Sequence, residues 1–176
     1  MGQYYYCVIL AEDGKYIRAW LDPLAHDNGS KLTEHSYIKN NFMLLVESNL
    51  GPHGAFYMSR IVWAGDYAKT ETDSENNLHT MCLDSLPKAV GHSQDFHEYR
   101  YIINHSKSLF IDKKPIRSGE IHPLSLLTAE GNGRGGGDYR GSNEELCGSW
   151  ARDIISVNDQ VPSDFQEFSP GFSLTD

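Results

Sequence analysis

The sequence predicts an α+β fold, a twisted and mainly antiparallel sheet with one main helix packed on a face. Short runs of aromatic and β-branched residues are separated by turn signals, and one longer segment repeats its apolar residues at helical spacing. The chain has 176 residues, of which 39% are hydrophobic, enough for a substantial core. We expect one globular domain over residues 1–160, followed by an acidic tail over residues 161–176.

The first predicted element is a β-hairpin. Residues 3–11 are rich in aromatic and β-branched side chains, Asp13-Gly14 is a turn signal, and residues 15–21 resume an alternating pattern. Bulky side chains fall on both faces of the first strand. That strand is therefore expected to lie centrally in the sheet, covered on both faces.

The main helix is predicted after a loop over residues 22–30. Apolar residues recur at helical spacing between Ile38 and Leu50, and Gly51 followed by Pro52 is a stop signal. Thr33 or Ser36 could accept the first free amide protons as the N-cap.

The rest of the chain alternates short buried segments with polar connections. The predicted elements are a buried strand at 60–64, an exposed excursion at 69–77, a hairpin over 99–112 with its turn at 105–107, strands or short buried segments at 124–129 and 150–157, and a loosely packed end at 162–176. Residues 79–86 favour neither helix nor strand.

A glycine-rich loop spans residues 130–141, with six glycines, two arginines and one aspartate. Consecutive backbone N–H groups in such a loop can converge on an anion, and arginine adds charge-assisted donors. The candidate ligand-binding residues are Gly133, Arg134, Gly135, Gly136, Gly137, Asp138, Tyr139 and Arg140. In this hypothesis the glycine amides and the arginines bind a phosphate, Asp138 holds a ribose hydroxyl, and Tyr139 stacks on a base.

Two other interpretations of this loop remain open, a structural loop packed against the sheet and a loop that becomes ordered on binding a partner. The sequence fits neither the GxxxxGK[ST] pattern nor a GxGxxG pattern that enters a helix. Asp66 and Asp153 are possible acid/base residues, because each follows a Trp-Ala-x step at a predicted strand end. We expect these two turns and the glycine-rich loop at one edge of the sheet.

The histidine spacing contains no HExxH motif or close ligand cluster, so no metal and no other cofactor is predicted. The three cysteines are far apart and odd in number, which favours free thiols over a disulfide framework. No apolar run is long enough for a membrane helix and no leader pattern is recognised, so we expect a cytoplasmic protein.

The negative net charge of the chain indicates which macromolecules could bind it. The net charge is −9, and residues 143–176 contribute −6 of it. Phosphate backbones repel such a surface, so no nucleic-acid binding is expected, whereas a basic protein surface would attract it.

Four stretches give the chain a resemblance to a family of short, uncharacterised bacterial and phage proteins. They are MGQYY at 1–5, EHSY at 34–37, RIVWAGDYA at 60–68 and LLTAEGNGRGGGDY at 126–139. The resemblance implies a compact intracellular protein and carries over no catalytic residue. For a phage protein it also implies host-defence interference in the host cytoplasm.

The leading hypothesis is a non-enzymatic binding module for an anionic, nucleotide-like small molecule, such as a host signal that a phage protein sequesters. One alternative is an acidic inhibitor or adaptor that binds a host protein through its C-terminal region. The other is a hydrolase that uses carboxylates such as Asp66, Asp138 or Asp153.

Overall fold

A computed structural model describes residues 2–85, 97–131 and 139–174. Within these ranges the strands are β1 (Tyr5–Leu10), β2 (Ile17–Leu21), β3 (Ser59–Gly65), β4 (Tyr101–Asn104), β5 (Leu109–Asp112), β6 (Ala129–Glu130), β7 (Ile154–Asn158) and β8 (Gln166–Glu167). The α-helices are α1 (Leu32–His35), α2 (Asn41–Leu50), α3 (Leu78–Cys82) and α4 (Pro123–Leu127). This composition confirms the predicted α+β class, with α2 as the main helix.

The strands form one sheet in the order β2-β1-β3-β7-β4-β5-β8, and β6 also pairs with β3. Pairing is antiparallel except for β6 on β3 and β8 on β5. Both predicted hairpins are present, as β1–β2 and as β4–β5. β1 lies between β2 and β3, as its two-sided bulk predicted.

The core has two layers because side chains of β1 alternate between the faces of the sheet. Tyr5, Cys7 and Ile9 face the larger cluster, which includes apolar side chains of α2 and α4. Val8 and Leu10 face a smaller cluster that includes residues of α3. Both faces of this strand are therefore covered, as predicted. Within the described ranges, none of the helices has the length and apolar character needed to span a membrane.

The N-cap of α2 differs from the prediction. The Asn40 side chain accepts hydrogen bonds from the backbone N–H groups of Phe42 and Met43, at 2.8 and 3.3 Å. Thr33 lies in the separate helix α1, and the Ser36 hydroxyl donates to the backbone oxygen of His122 instead. The helical spacing located the helix, but the polar residues before it offered several caps.

Two later segments also differ in detail. Residues 123–127 form a buried helix that starts at a proline, where the missing N–H needs no partner, and only Ala129 and Glu130 are extended. The C-terminal segment, predicted as loosely packed, contributes β8 and packs Phe168 and Phe172 against the main core. Its aromatic residues therefore bind it to the sheet.

Candidate functional site

The edge of β3 that faces away from β1 changes partner along its length. β7 pairs antiparallel with Ser59 and Arg60, whereas β6 pairs parallel with Trp63 and Ala64. Two neighbours that share one edge must diverge, which leaves a crevice between them, and concave sites of this kind are where small molecules bind. The candidate site lies where β6 and β7 separate.

A cavity of about 410 Å³ is present at this point. Its walls are residues 68–71 after β3, residues 129–131 at β6, and Cys147, Gly148 and Arg152 before β7. We call it the glycine-loop cavity, because the glycine-rich loop continues in sequence from Gly131 at its wall. Its volume is within the range of roughly 300–1,000 Å³ that is usual for small-molecule sites.

Arg152 connects the walls of this cavity. Its guanidinium donates to both carboxylate oxygens of Glu130, at 2.8 Å each, and to both of Glu71, at 2.8 and 2.7 Å. It also donates to the backbone oxygen of Gly14 at 3.0 Å. Although burial opposes its charge, the two carboxylates raise the pKa of Arg152 above its ordinary value. The backbone of Arg152 is left-handed, with φ of 68°.

Lys69 is the other cation at the glycine-loop cavity. Its side chain is exposed, and no carboxylate in the described ranges forms an ion pair with it. Arg152 pairs with both Glu71 and Glu130, which leaves this cluster with a net charge of −1 that Lys69 balances. Lys69 is therefore the cationic group at these walls that is available to contact an anion.

The rim of the cavity is tightly packed at Gly131. A Cβ atom on this residue would lie 2.5 Å from Gln3 Oε1 and 2.9 Å from the hydroxyl of Tyr5. At Gly65, a Cβ atom would lie 2.8 Å from the backbone oxygen of Glu130. Real Cβ contacts are essentially never that short, so a side chain at Gly65 would collide with fixed backbone, and one at Gly131 would force the side chains of Gln3 and Tyr5 to move. Three of the four stretches behind the resemblance, at residues 1–5, 60–68 and 126–139, therefore meet at this rim.

The fourth stretch contributes His35, which is fully buried beside Trp63. The Trp63 indole N–H donates to His35 Nε2 at 3.0 Å, so His35 Nδ1 carries the proton and donates to the backbone oxygen of Gly29 at 2.9 Å. Burial lowers the pKa of His35. A neutral imidazole thus links α1 to the strand whose end forms the cavity.

Most of the residues predicted to bind the ligand, from Gly133 through Arg134, Gly135, Gly136 and Gly137 to Asp138, lie outside the described residues. Tyr139 is described, and only 2% of it is exposed. Its hydroxyl donates to the backbone oxygen of Ser142 at 2.6 Å, and its ring packs edge-on against Phe172.

Arg140 is exposed, and its Nη1 donates to the backbone oxygen of Tyr139 at 3.0 Å. The ligand-binding roles of these loop residues stay predictions.

The two predicted acid/base residues lie near different ends of β3. Asp66 follows its last residue and accepts a hydrogen bond from the backbone N–H of Tyr4 at 3.0 Å. Asp153 lies beside Ile61, where its backbone oxygen accepts at 3.2 Å, and its carboxylate binds Asn104 and Lys107. The two carboxylates therefore do not face a common site. The segments next to them do meet, as expected, because Ala68, Gly131 and Arg152 all line the glycine-loop cavity. Acid/base roles for these residues stay predictions.

A buried polar cluster was missed by the sequence analysis. The Lys113 ammonium contacts the carboxylate of Glu47, and His122 Nε2 lies 3.6 Å from the other carboxylate oxygen. All three residues are at most 3% exposed. Burial opposes ionisation of Glu47, but contacts with His122 and Lys113 lower its pKa, while burial lowers the pKa of His122. Their positions in sequence are so far apart that no spacing signal could have found the cluster.

The fold and site define an α+β protein with a small cavity at a split sheet edge. The chain matches no protein-family model, no curated protein and no solved structure. The resemblance to short bacterial and phage proteins therefore stays a prediction. Within the described part of the chain, no group of three or more His, Cys, Asp or Glu side chains could hold a metal ion.

Proposed function

We propose that this protein is a non-enzymatic binding module for an anionic, nucleotide-like small molecule, bound at the glycine-loop cavity. The observation that carries the proposal is a cavity of about 410 Å³ where β6 and β7 separate along β3, with Gly131 on its wall. The glycine-rich loop continues from that wall in sequence, so its backbone amides and arginines are candidate ligands.

The charges of the described walls are compatible with an anion, because Lys69 and Arg152 balance Glu71 and Glu130. Arg152 binds both carboxylates, which reduces the repulsion that Glu71 and Glu130 would otherwise exert on a phosphate. Lys69 then supplies an ammonium group that forms no ion pair with any described residue. Arg134 and Arg140 would add two further cations if the loop contributes as predicted.

The same walls support binding without catalysis. The carboxylates among the described wall residues are Glu71 and Glu130, and Arg152 binds both, which disfavours either as a general base. Cys147 contributes a thiol to the same walls, and burial raises the pKa of this thiol to about 11. A thiol of that pKa is almost entirely protonated near neutral pH. In a phage setting, such a module would act by sequestering a host signal.

Isothermal titration with adenosine and guanosine mono- and triphosphates tests the proposal. We expect a heat of binding for at least one nucleotide, and that nucleotide should be recovered intact after incubation. Lys69→Ala, Arg134→Ala and Arg140→Ala should each weaken its binding by about 10- to 150-fold, since a charge-assisted contact contributes about 1.5–3 kcal/mol. Lys114→Ala is the matched control, because Lys114 is also an exposed lysine but lies away from this cavity.

Three results would refute the proposal. They are the absence of both binding heat and a melting shift with every nucleotide, unchanged affinity in all three variants, and conversion of the nucleotide to product. The last result would favour the hydrolase alternative.

A further inference from the structure

A second cavity lies near the turn that follows β3, because its lining residue Tyr4 binds Asp66 in that turn. Its volume is about 560 Å³, and its lining includes Tyr4, Tyr6, Leu24, Lys31, Glu34 and His79. We call it the aromatic cavity. The backbone of Tyr4 forms two hydrogen bonds with Asp66, one to its carboxylate and one from its N–H, each of 3.0 Å. The turn that starts at Gly65 and Asp66 leads on to Ala68, the first wall residue of the glycine-loop cavity.

The rings of this cavity provide flat apolar surface. Tyr6 and His79 are stacked, with centroids 4.1 Å apart and planes within 9° of parallel. Tyr4 is 49% exposed, although it belongs to the same chain segment as the buried Tyr5. Tyr4 and Tyr6 share a face because side chains alternate along the strand. Such an arrangement suits a planar ring, since stacking on an aromatic side chain tolerates any base with a π-face.

His79 gives the cavity an unsatisfied polar group. Its Nε2 atom is buried and has no hydrogen-bond partner in the described ranges. Burial lowers the pKa of His79, although Asp66 and Asp22 act in the opposite direction, so the ring is neutral near pH 7. A buried nitrogen without a partner is unfavourable, and a polar edge of a bound ring would relieve it.

The carboxylates near the aromatic cavity select which part of a ligand binds there. Glu34 Oε1 accepts the backbone N–H of Lys31 at 3.1 Å, whereas no described residue donates to Glu34 Oε2. Asp22 and Asp66 lie close enough to influence the titration of His79. Lys31, which also lines the cavity, offsets one of these three carboxylates, so the four groups together carry a net charge of −2. This charge disfavours a phosphate and favours N–H donors.

We propose that the aromatic cavity binds the nucleobase, or an equivalent planar heterocycle with N–H donors, of the ligand. This inference rests on the proposed function for the nucleotide-like class and names the site of its ring. It assigns the stacking role to Tyr4, whose half-exposed ring lines the cavity, and the hydrogen bond to the edge of the ring to His79 Nε2. The exocyclic amino group of adenine, guanine or cytosine would face the carboxylates, so uracil should bind more weakly.

The experiment compares four probes, namely adenosine, adenosine monophosphate, uridine and inorganic phosphate. Affinity is followed by titration calorimetry and by tryptophan fluorescence, because the ring of Trp20 lies 4.7 Å from that of Tyr6. Adenosine should bind, and uridine should bind about tenfold more weakly. Tyr4→Ala and His79→Ala should each weaken adenosine binding by about tenfold. Tyr57→Ala is the control for an exposed tyrosine outside the cavity.

The outcomes separate this inference from the proposed function. If Tyr4→Ala and His79→Ala leave adenosine monophosphate affinity unchanged while Lys69→Ala weakens it, the base site is wrong and the proposed function stands. If adenosine binds through Tyr4 and phosphate adds no affinity, the base site stands and the anionic ligand is wrong. If no probe binds, both are wrong. Since Tyr4 is half-exposed, its variant should fold even if His79→Ala does not.

Discussion

Substitution of Arg152 tests whether one guanidinium holds the candidate site together. Its side chain is 25% exposed, and those of its partners Glu71 and Glu130 are 18% and 29% exposed. Removing one member of a largely buried ion pair costs about 3–5 kcal/mol, because the partner charges remain unpaired. Partial exposure screens this interaction, so we expect Arg152→Ala to lower the free energy of unfolding by about 3 kcal/mol.

The left-handed backbone of Arg152 allows a matched control. At φ of 68° a side chain is unfavourable, whereas glycine adopts this conformation freely. Arg152→Gly should therefore be about 1 kcal/mol more stable than Arg152→Ala, after allowance for the greater freedom of glycine in the unfolded chain. Urea unfolding at pH 7.5 measures all three proteins. If Arg152→Ala stays within about 0.5 kcal/mol of the parent protein, the guanidinium does not stabilise the site and the reasoning fails.

Three further predictions concern stability and can be measured by urea unfolding. Burial lowers the pKa of His35, so as the pH falls the imidazole takes up a proton in the unfolded chain before it does so in the folded protein. The contribution of His35 to the free energy of unfolding is therefore full above about pH 6.5 and falls by up to about 1.4 kcal/mol per pH unit below it. An unchanged slope in His35→Gln would contradict this prediction. Glu47→Ala should destabilise the protein by about 3–5 kcal/mol, because it leaves the ammonium of Lys113 buried and unpaired. The double variant Glu47→Leu with Lys113→Met removes both charges and should stay within about 1 kcal/mol of the parent protein. Equal losses of stability in the two variants would refute the argument. Gly131→Ala should destabilise the protein by about 1–3 kcal/mol, because the new methyl group would overlap Gln3 Oε1. Adding Gln3→Ala to this variant should restore part of the lost stability. If it restores none, the strain lies elsewhere.

The elements that were predicted correctly are those whose signals are local. The turn at Asp13-Gly14 and the alternation around it define the β1–β2 hairpin, and helical spacing up to Leu50 defines α2. A local pattern is sufficient there because it determines which side chains share a face. The cap of α2 was missed because Thr33, Ser36 and Asn40 all have suitable side chains, and tertiary contacts engage Ser36 elsewhere.

The features that were not predicted depend on distant parts of the chain. β7 pairs with both β3 and β4, and no pattern within residues 154–158 indicates those partners. Tyr139 follows a glycine run, which indicates a loop, yet its ring is buried through contacts with a segment more than thirty residues later. The aromatic cavity combines Tyr4, Glu34 and His79, whose separation in sequence leaves no spacing to detect.

The position of β7 has a consequence for how the chain reaches its native state. The β2-β1-β3 and β4-β5-β8 groups of strands join in the sheet through β7, which comes late in the sequence. During synthesis β3 and β4 form before β7 is available, so one edge of each strand stays partly unpaired until residues 154–158 have been made and can pair with them. Released truncated chains that end before residue 150 should consequently be protease-sensitive and prone to self-association, and the released full-length chain should resist both.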